Sequence, residues 1–245
     1  MLSKTHTKYI QSLWHKKFRD ESGLFIAEGP KVVMDLLNSR KFVCKEIFAL
    51  PGWISAQKTL PGLPDATITE VQDFELDKIS NLSTANSVLA IFAKRQQQQI
   101  DTSKKLVLAL DTIQDPGNLG TIIRIADWFG ISDMVCSPGS ADMYNSKVVQ
   151  STMGSLGRVN LLYTDLVEWL QKNNKTKIYS ASLKGKNVKT LGTLTEGILV
   201  IGNEANGISD EVMEFVNEKI TIPGTGEAES LNAAVATGTI LAMIK

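Results

Sequence analysis

The sequence predicts an α/β protein of 245 residues, with a parallel sheet in its C-terminal half and a smaller α/β domain ahead of it. Three observations carry that reading. LVLALD at 106–111 is an unbroken apolar run of the length of one strand, the pattern of a strand covered on both faces. Strand-like and helix-like segments alternate on both sides of the polar stretch RQQQQIDTSKK. Three segments of the second half, at 115–124, 201–209 and 222–232, each read as a strand end, a glycine-bearing loop and a helix start.

Taken in order, a helix over 8–18 precedes the short strand LFIAE (24–28) and a helix over 30–38, where Pro30 suits the first turn. The strand KEIFAL (45–50), a Pro/Gly turn and helix near Trp53, a strand near Ile68, a helix over 74–79 and the apolar strand SVLAIFA (87–93) complete the first half. The stretch at 95–105 lacks apolar periodicity and reads as a linker, giving domains 1–95 and 106–245 joined by 96–105. Beyond it, a helix over 119–129 places Leu119, Ile122, Ile123, Ala126 and Phe129 on one side and stops at Gly130, a residue suited to a helix C-terminus. Strands at 133–136, 159–163, 177–181, 198–201 and 219–222 alternate with helices near 147–155, 165–171, 210–216 and 231–244.

Composition narrows the function. Hydrophobic residues make up 43% and charged residues 21%, the balance of a soluble globular protein. No apolar run approaches the roughly 18 residues of a membrane span, and the N-terminus lacks a signal-peptide core, so a cytoplasmic location is expected. Cys44 and Cys136 lie among apolar residues and read as core positions. His6 and His15 both sit at the N-terminus, which leaves no metal site or histidine-dependent triad to assemble in the second half. The net charge is zero, but residues 1–104 carry +3 and residues 105–245 carry −3. Lys4, Lys8, Lys16, Lys17 and Arg19, interleaved with His6, Tyr9, Trp14 and His15, form a basic segment. It fits a phosphate backbone or, equally, a solvated helix face.

The loops hold polar residues that a plain turn does not need: Asn118, Arg124, Asn203, Glu204, Ser230 and Asn232. Loops at the carboxyl ends of parallel strands are where ligands bind in such sheets, and glycines there let backbone approach a ligand closely. Neither GxGxxG after Asp111 nor GxxxxGK[ST] is present, which argues against a standard dinucleotide or P-loop site. In this order, DxxQDPGNLGxxxRxAxxFG, LVIGNEANGIS and IPGTGEAESLNAAVA resemble the three motifs of the SpoU family of RNA 2′-O-ribose methyltransferases, in the SPOUT superfamily. The likeness covers residues 106–245 closely. FRDESGLFIAEGPKVV also looks, more loosely, like the RNA-binding α/β domain that often precedes that catalytic domain.

The resemblance implies a homodimer whose C-terminal chain is threaded into a trefoil knot, with S-adenosylmethionine bound within the knot; periodicity alone predicts an unknotted sheet. It implies cofactor loops at 181–183 (Ala181, Ser182, Leu183), 202–207 (with Gly202, Asn203 and Gly207) and 222–231 (with Ile222, Pro223, Ser230 and Leu231). Arg124 matches the family's essential arginine, to which the role of base has been assigned. A guanidinium has a pKa above about 12, so orienting an RNA phosphate and stabilising a developing alkoxide are easier tasks for it. Asn118 would fix Arg124 or the ribose, Glu204 would hold its loop or pair with the arginine, and Ser230 and Asn232 would line the site.

Lys16, Lys17, Arg19 and Arg158 are the expected RNA contacts. NSKVVQSTMGSLGRV (145–159) resembles a family segment reading roughly K-x-x-x-x-S-x-G-A, with Ser151 and Gly154 fitting and Ser155 in place of alanine. Glu227 and Glu229 depart from the third motif by adding negative charge. The leading expectation is a ribosomal RNA 2′-O-methyltransferase. A transfer RNA substrate, a catalytically silent RNA-binding or ribosome-assembly protein, and a small-molecule methyltransferase are the alternatives.

Overall fold

In the C-terminal half, strands that are apolar along their whole length stack side by side and bury both faces. The computed structural model describes residues 2–57 and 67–245. It divides into two units, 1–96 with 142–158, and 97–141 with 159–245.

The second unit is built on a parallel sheet. Its strands are β5 (Leu106–Leu110), β6 (Asp133–Cys136), β7 (Asn160–Tyr163), β8 (Ile178–Asn187), β9 (Gly197–Ile201) and β10 (Glu218–Thr221). They lie in the order β10-β8-β9-β5-β6-β7, every neighbouring pair parallel. All five residues of β5 and all five of β9 are buried. Val107, Ala109, Ile198 and Val200 meet Trp169 and Leu170 of helix α8 (Leu166–Lys172) and Val212 of α9 (Asp210–Met213). From β5 the chain runs outward through β6 to β7, then crosses back to β8 and β9 on the other side. The order therefore reverses between β5 and β9, the place where open α/β sheets bind ligands. Helix α6 (Pro116–Trp128) starts at this reversal: the Asp115 side chain caps it by accepting the Asn118 N–H at 2.8 Å, and Pro116 occupies the first turn. Helix α10 (Ala233–Ile244) packs on α6 and on the short 3₁₀ turn Val188–Thr190, and the Ile244 carbonyl accepts from Leu194 N–H at 2.7 Å.

The strand expected at 177–181 is longer than its apolar pattern. Tyr179 and Ser180 of β8 pair with Glu218 and Lys219, whereas Lys186 and Asn187 pair with the next two residues, Ile220 and Thr221. Residues 181–185 are thus looped out of the ladder between adjacent partners. The expected linker also departs from expectation in part. Ile100 joins the core of the second unit, and the Thr102 hydroxyl bonds with Asn173 and Thr176, so the polar stretch hides one apolar anchor and one buried hydroxyl.

In the first unit, β1 (Leu24–Glu28), β2 (Cys44–Ala49), β3 (Thr67–Glu70) and β4 (Val88–Ala93) form a mixed sheet in the order β1-β4-β2-β3. Helices α3 (Pro30–Ser39), α4 (Pro51–Ala56) and α5 (Asp73–Ile79) connect the strands as the sequence predicts. The single helix expected over 8–18 is broken into α1 (Lys4–Ser12) and α2 (Lys16–Ser22). Arg19 explains the break. Its side chain is buried, and its Nη1 donates to the carbonyls of Leu13 (3.2 Å) and Trp14 (2.8 Å), which a continuous helix would have used internally. Its charge is met by Asp142, at 2.7 Å from Nη2.

Asp142 belongs to residues 142–158, which contain helix α7 (Ser146–Ser151) and the 3₁₀ turn Ser155–Gly157. The sequence predicts this stretch as part of one continuous domain 106–245, yet it packs with the first unit. The Tyr144 ring lies 4.7 Å from that of Phe25, and Arg158 pairs with Asp35 at 3.2 Å. Gly154 (φ +92°) comes so close to Asp35 that a β-carbon there would collide with its side chain. Cys44 and Cys136 are core thiols as expected, each pushed up to about 12 by burial. Among the described residues no helix is long and apolar enough to cross a membrane.

Removing one member of a buried ion pair leaves the other charge uncompensated, at a cost of about 3–5 kcal/mol. Asp142→Ala is therefore expected to destabilise the first unit by that amount in urea unfolding, and a fragment 1–96 should remain unfolded. A fragment with native circular dichroism would show that residues 142–158 are dispensable to this unit.

Candidate active site

The first two motif loops leave from neighbouring strand ends, because Leu110 of β5 is paired directly with Ile201 of β9. Asp111, the next residue, is buried. Its Oδ2 accepts from both the N–H and the hydroxyl of Ser209, each at 2.8 Å, so one carboxylate ties the end of β5 to the far end of the second loop. Between those points Asn203 shapes the loop. Its Oδ1 accepts the N–H groups of Ala205 (2.8 Å) and Asn206 (3.1 Å), and its Nδ2 donates to the Thr112 carbonyl at 2.9 Å. Asn203 and Gly207 exchange backbone hydrogen bonds, with Gly207 at φ +71°. Gly202 lies against the Gly207 carbonyl so tightly that no side chain fits there. The glycines expected to open a path for a ligand are first needed to close the loop on itself.

The third loop reaches the same place through the cap of α10. The Asn232 side-chain oxygen accepts from Ala234 N–H (3.0 Å) and Val235 N–H (3.2 Å), satisfying two of the free donors of the first turn. That fixes which way the amide faces. Its Nδ2 donates to the Asn118 oxygen at 2.9 Å, and the Asn118 amide nitrogen in turn donates to Glu204. Asn232, Asn118 and Glu204 thus form a directed chain, one residue from each motif loop, ending on a carboxylate. Of the two roles expected for Glu204, the structure gives it a partner in Asn118 rather than Arg124.

Arg124 stands exposed on α6 and, among the described residues, its guanidinium makes neither an ion pair nor a hydrogen bond, with Asp127 or any other group. Ser230 lies two residues ahead of Asn232 in an exposed loop with Glu227 and Glu229. Pro223 is exposed and Ile222 half-buried. Leu231 is not a core residue: it is 47% exposed, and Leu183 in the looped-out segment is 73% exposed. Ala181 and Ser182 are half-buried, with the Ser182 hydroxyl 3.0 Å from that of Ser180. The Thr221 hydroxyl donates to the Leu183 carbonyl at 3.1 Å, which joins the looped-out segment to the start of the third loop. Sequence reasoning missed Asp111, Thr112 and Ser209 as loop-holding residues. An acidic residue directly ending a wholly apolar strand was the available signal.

The basic residues of the first unit are placed differently from one another. Lys16 and Lys17 are exposed but face acids one turn on, Asp20 at 2.5 Å and Glu21 at 3.9 Å. Lys94 also reaches Asp20 at 2.6 Å, and hydrogen bonds from Lys16 and Lys94 hold that carboxyl at about 2. Arg19 is corrected from a surface contact to a buried structural cation, since its donors are used by two carbonyls and Asp142. Arg158, expected to reach substrate, is engaged by Asp35.

Residues 105–242 match the SpoU rRNA Methylase family, and residues 4–90 match an MRM3-like substrate binding domain. The 23S rRNA (guanosine(2553)-2′-O)-methyltransferase RlmP of Bacillus subtilis is 29% identical over 239 residues, 94% of this chain and 92% of its own. A solved structure from Porphyromonas gingivalis, assigned to the TrmH family of RNA methyltransferases, superposes with a TM-score of 0.89 at 35% identity, covering 99% of this chain and 98% of that one. An AdoMet-bound rRNA methyltransferase from Sinorhizobium meliloti superposes with a TM-score of 0.83 at 28% identity, covering 98% and 95%.

Because Gly202 has no room for a β-carbon, Gly202→Ala should open the second loop and break the Asn203–Gly207 bridge. The expected result is loss of measurable S-adenosylmethionine binding in calorimetry with the fold retained in circular dichroism. Unchanged binding would mean that the loop tolerates the displacement.

Proposed function

Since the chain belongs to the SpoU rRNA Methylase family, we propose that it methylates a ribose 2′-hydroxyl of ribosomal RNA with S-adenosylmethionine as donor. The observation that carries this reading is the Asn232–Asn118–Glu204 chain, which gathers all three motif loops at the carboxyl ends of the strands. The residues present fit the donor. Gly207, with open space where a side chain would stand, leaves bare backbone at the switch point, and Leu183 and Leu231 expose apolar side chains on the other two loops, suited to an adenosine with a short aliphatic arm. Bound there, S-adenosylmethionine supplies an electrophilic methyl group on a sulfonium.

This chain's own residues then have separable work. Asn203 and Asp111 hold the second loop, and Asn118 and Asn232 hold the first and third in register with it. Arg124, charged and without a partner among the described residues, attracts the RNA phosphate and favours the developing alkoxide of the attacking 2′-oxygen. Glu204, directed by Asn118, completes the polar edge of the site with Ser230. Ribosomal RNA is favoured over transfer RNA by the names of the relatives and by the matched substrate-binding domain. The cytoplasm is the compartment consistent with that substrate.

The looped-out residues 181–185 and the seat of α10 against Val188–Thr190 support a trefoil knot in the second unit. A homodimer is supported by Val235 of α10, 54% exposed, and Trp128 of α6, 84% exposed; large apolar side chains left to solvent call for a partner.

Incubation with labelled S-adenosylmethionine and total RNA should place label in ribosomal RNA as a 2′-O-methyl group. Arg124→Ala should lower transfer by roughly 100-fold or more while leaving donor affinity within a few-fold. Donor binding without label in any RNA would favour the silent RNA-binding protein. Light scattering should give a dimer, and Trp128→Glu should shift it to monomer; a monomeric native chain would remove the dimer from this reading.

A further inference from the structure

The segment at 145–159 is distinctive in sequence, and residues 142–158 pack with the first unit. In the structure α7 of this segment closes one side of a cavity of about 350 Å³ within the first unit. That is the lower end of the range for ligand pockets, about 300–1,000 Å³. Ile26 of β1, Leu82 and Val149 of α7 give it aliphatic walls. Asn81, Ser146, Gln150 and Ser151 supply hydrogen-bonding edges, and the Asn81 amide donates to the Ser146 hydroxyl at 2.7 Å, locking the rim across the two chain segments.

The unusual member of the lining is Glu28, at the end of β1. It is only 5% exposed, and the cation Lys147 of α7 shares the lining with it. Its carboxylate accepts from the Ser80 hydroxyl at 2.5 Å and from the Asn81 N–H at 3.1 Å. Burial pushes its carboxyl up, and those two hydrogen bonds only partly oppose the rise. A carboxylate has about four acceptor positions, so roughly half of its capacity remains unused beside a cavity.

From this lining we infer that the first unit holds a pocket for a single unstacked nucleobase, and that Glu28 makes it selective for guanine. The inference rests on the RNA reading and extends it to a site built from other residues than the donor loops. Apolar walls around a planar ligand with polar groups at its edge are how proteins hold an unstacked base. The choice among bases follows from donor patterns. Guanine presents N1–H and the 2-amino group side by side, two donors for two carboxylate oxygens, while Gln150 or Ser151 can donate to its O6. Adenine and cytosine set an acceptor nitrogen beside their one amino group, and uracil flanks its single N–H with two carbonyls. Each of these would place an acceptor against Glu28.

The test is saturation-transfer NMR of the full chain with GMP, AMP, CMP and UMP, repeated on Glu28→Gln and Gln150→Trp, with thermal melting as the check on folding. The native chain should prefer GMP by roughly tenfold or more. Glu28→Gln should still take nucleotides but lose the preference, and Gln150→Trp, which fills the cavity, should lose the signal. Equal signals from all four nucleotides in the native chain, or a GMP preference that survives either substitution, would overturn the proposal. Methyl transfer plays no part in this readout, so failure of the pocket and failure of the transferase reading are told apart.

Discussion

The C-terminal unit depends on β5 being buried on both faces between β9 and β6. A strand that apolar has no stable place at a sheet edge or against solvent, and with it buried at the centre the chain crosses back so that the strand order, though not the strand direction, reverses beside it. The reversal places the ends of β5 and β9 side by side through the Leu110–Ile201 pair. From there the loop positions follow: Asp111 reaches Ser209, Asn203 reaches the Thr112 carbonyl, and the first two motifs are fastened before any ligand is considered.

The third motif is attached by different means. It comes from the outermost strand β10, four positions across the sheet from β6, and returns to the centre only because Asn232 both caps α10 and donates to Asn118. With its oxygen committed to two backbone donors, the Asn232 amide has one usable direction, and this propagates through Asn118 to Glu204. The orientation of a carboxylate at the site is thus set by a helix cap two residues removed in the network. Arg124 remains outside that network, exposed on α6.

The first unit shows how a chain segment can belong to one domain by sequence and another by packing. Residues 142–158 carry Asp142 to the buried Arg19, Tyr144 to Phe25 and α7 to β1. Gly154 and Gly157 are small because α3 leaves no room for side chains, Asp35 and Ser39 occupying the space. A helix break at residues 13–15 and the burial of a charged side chain both trace to this one docking.

The elements were legible where local chemistry decides them. Asp115-Pro116 marks the start of α6, the apolar runs mark β5, β9 and β4, and the ordered motifs mark the three loops and their polar residues. The sequence by itself determined the α/β class, the order of the strands and the family. Tertiary structure decided what depends on partners far along the chain: that Arg19 is a buried cation rather than an RNA contact, that Glu204 answers to Asn118, that residues 181–185 leave the ladder, and that residues 142–158 pack with the first unit. Periodicity reports how much of a segment is covered, whereas the identity of what covers it is fixed only when distant residues meet.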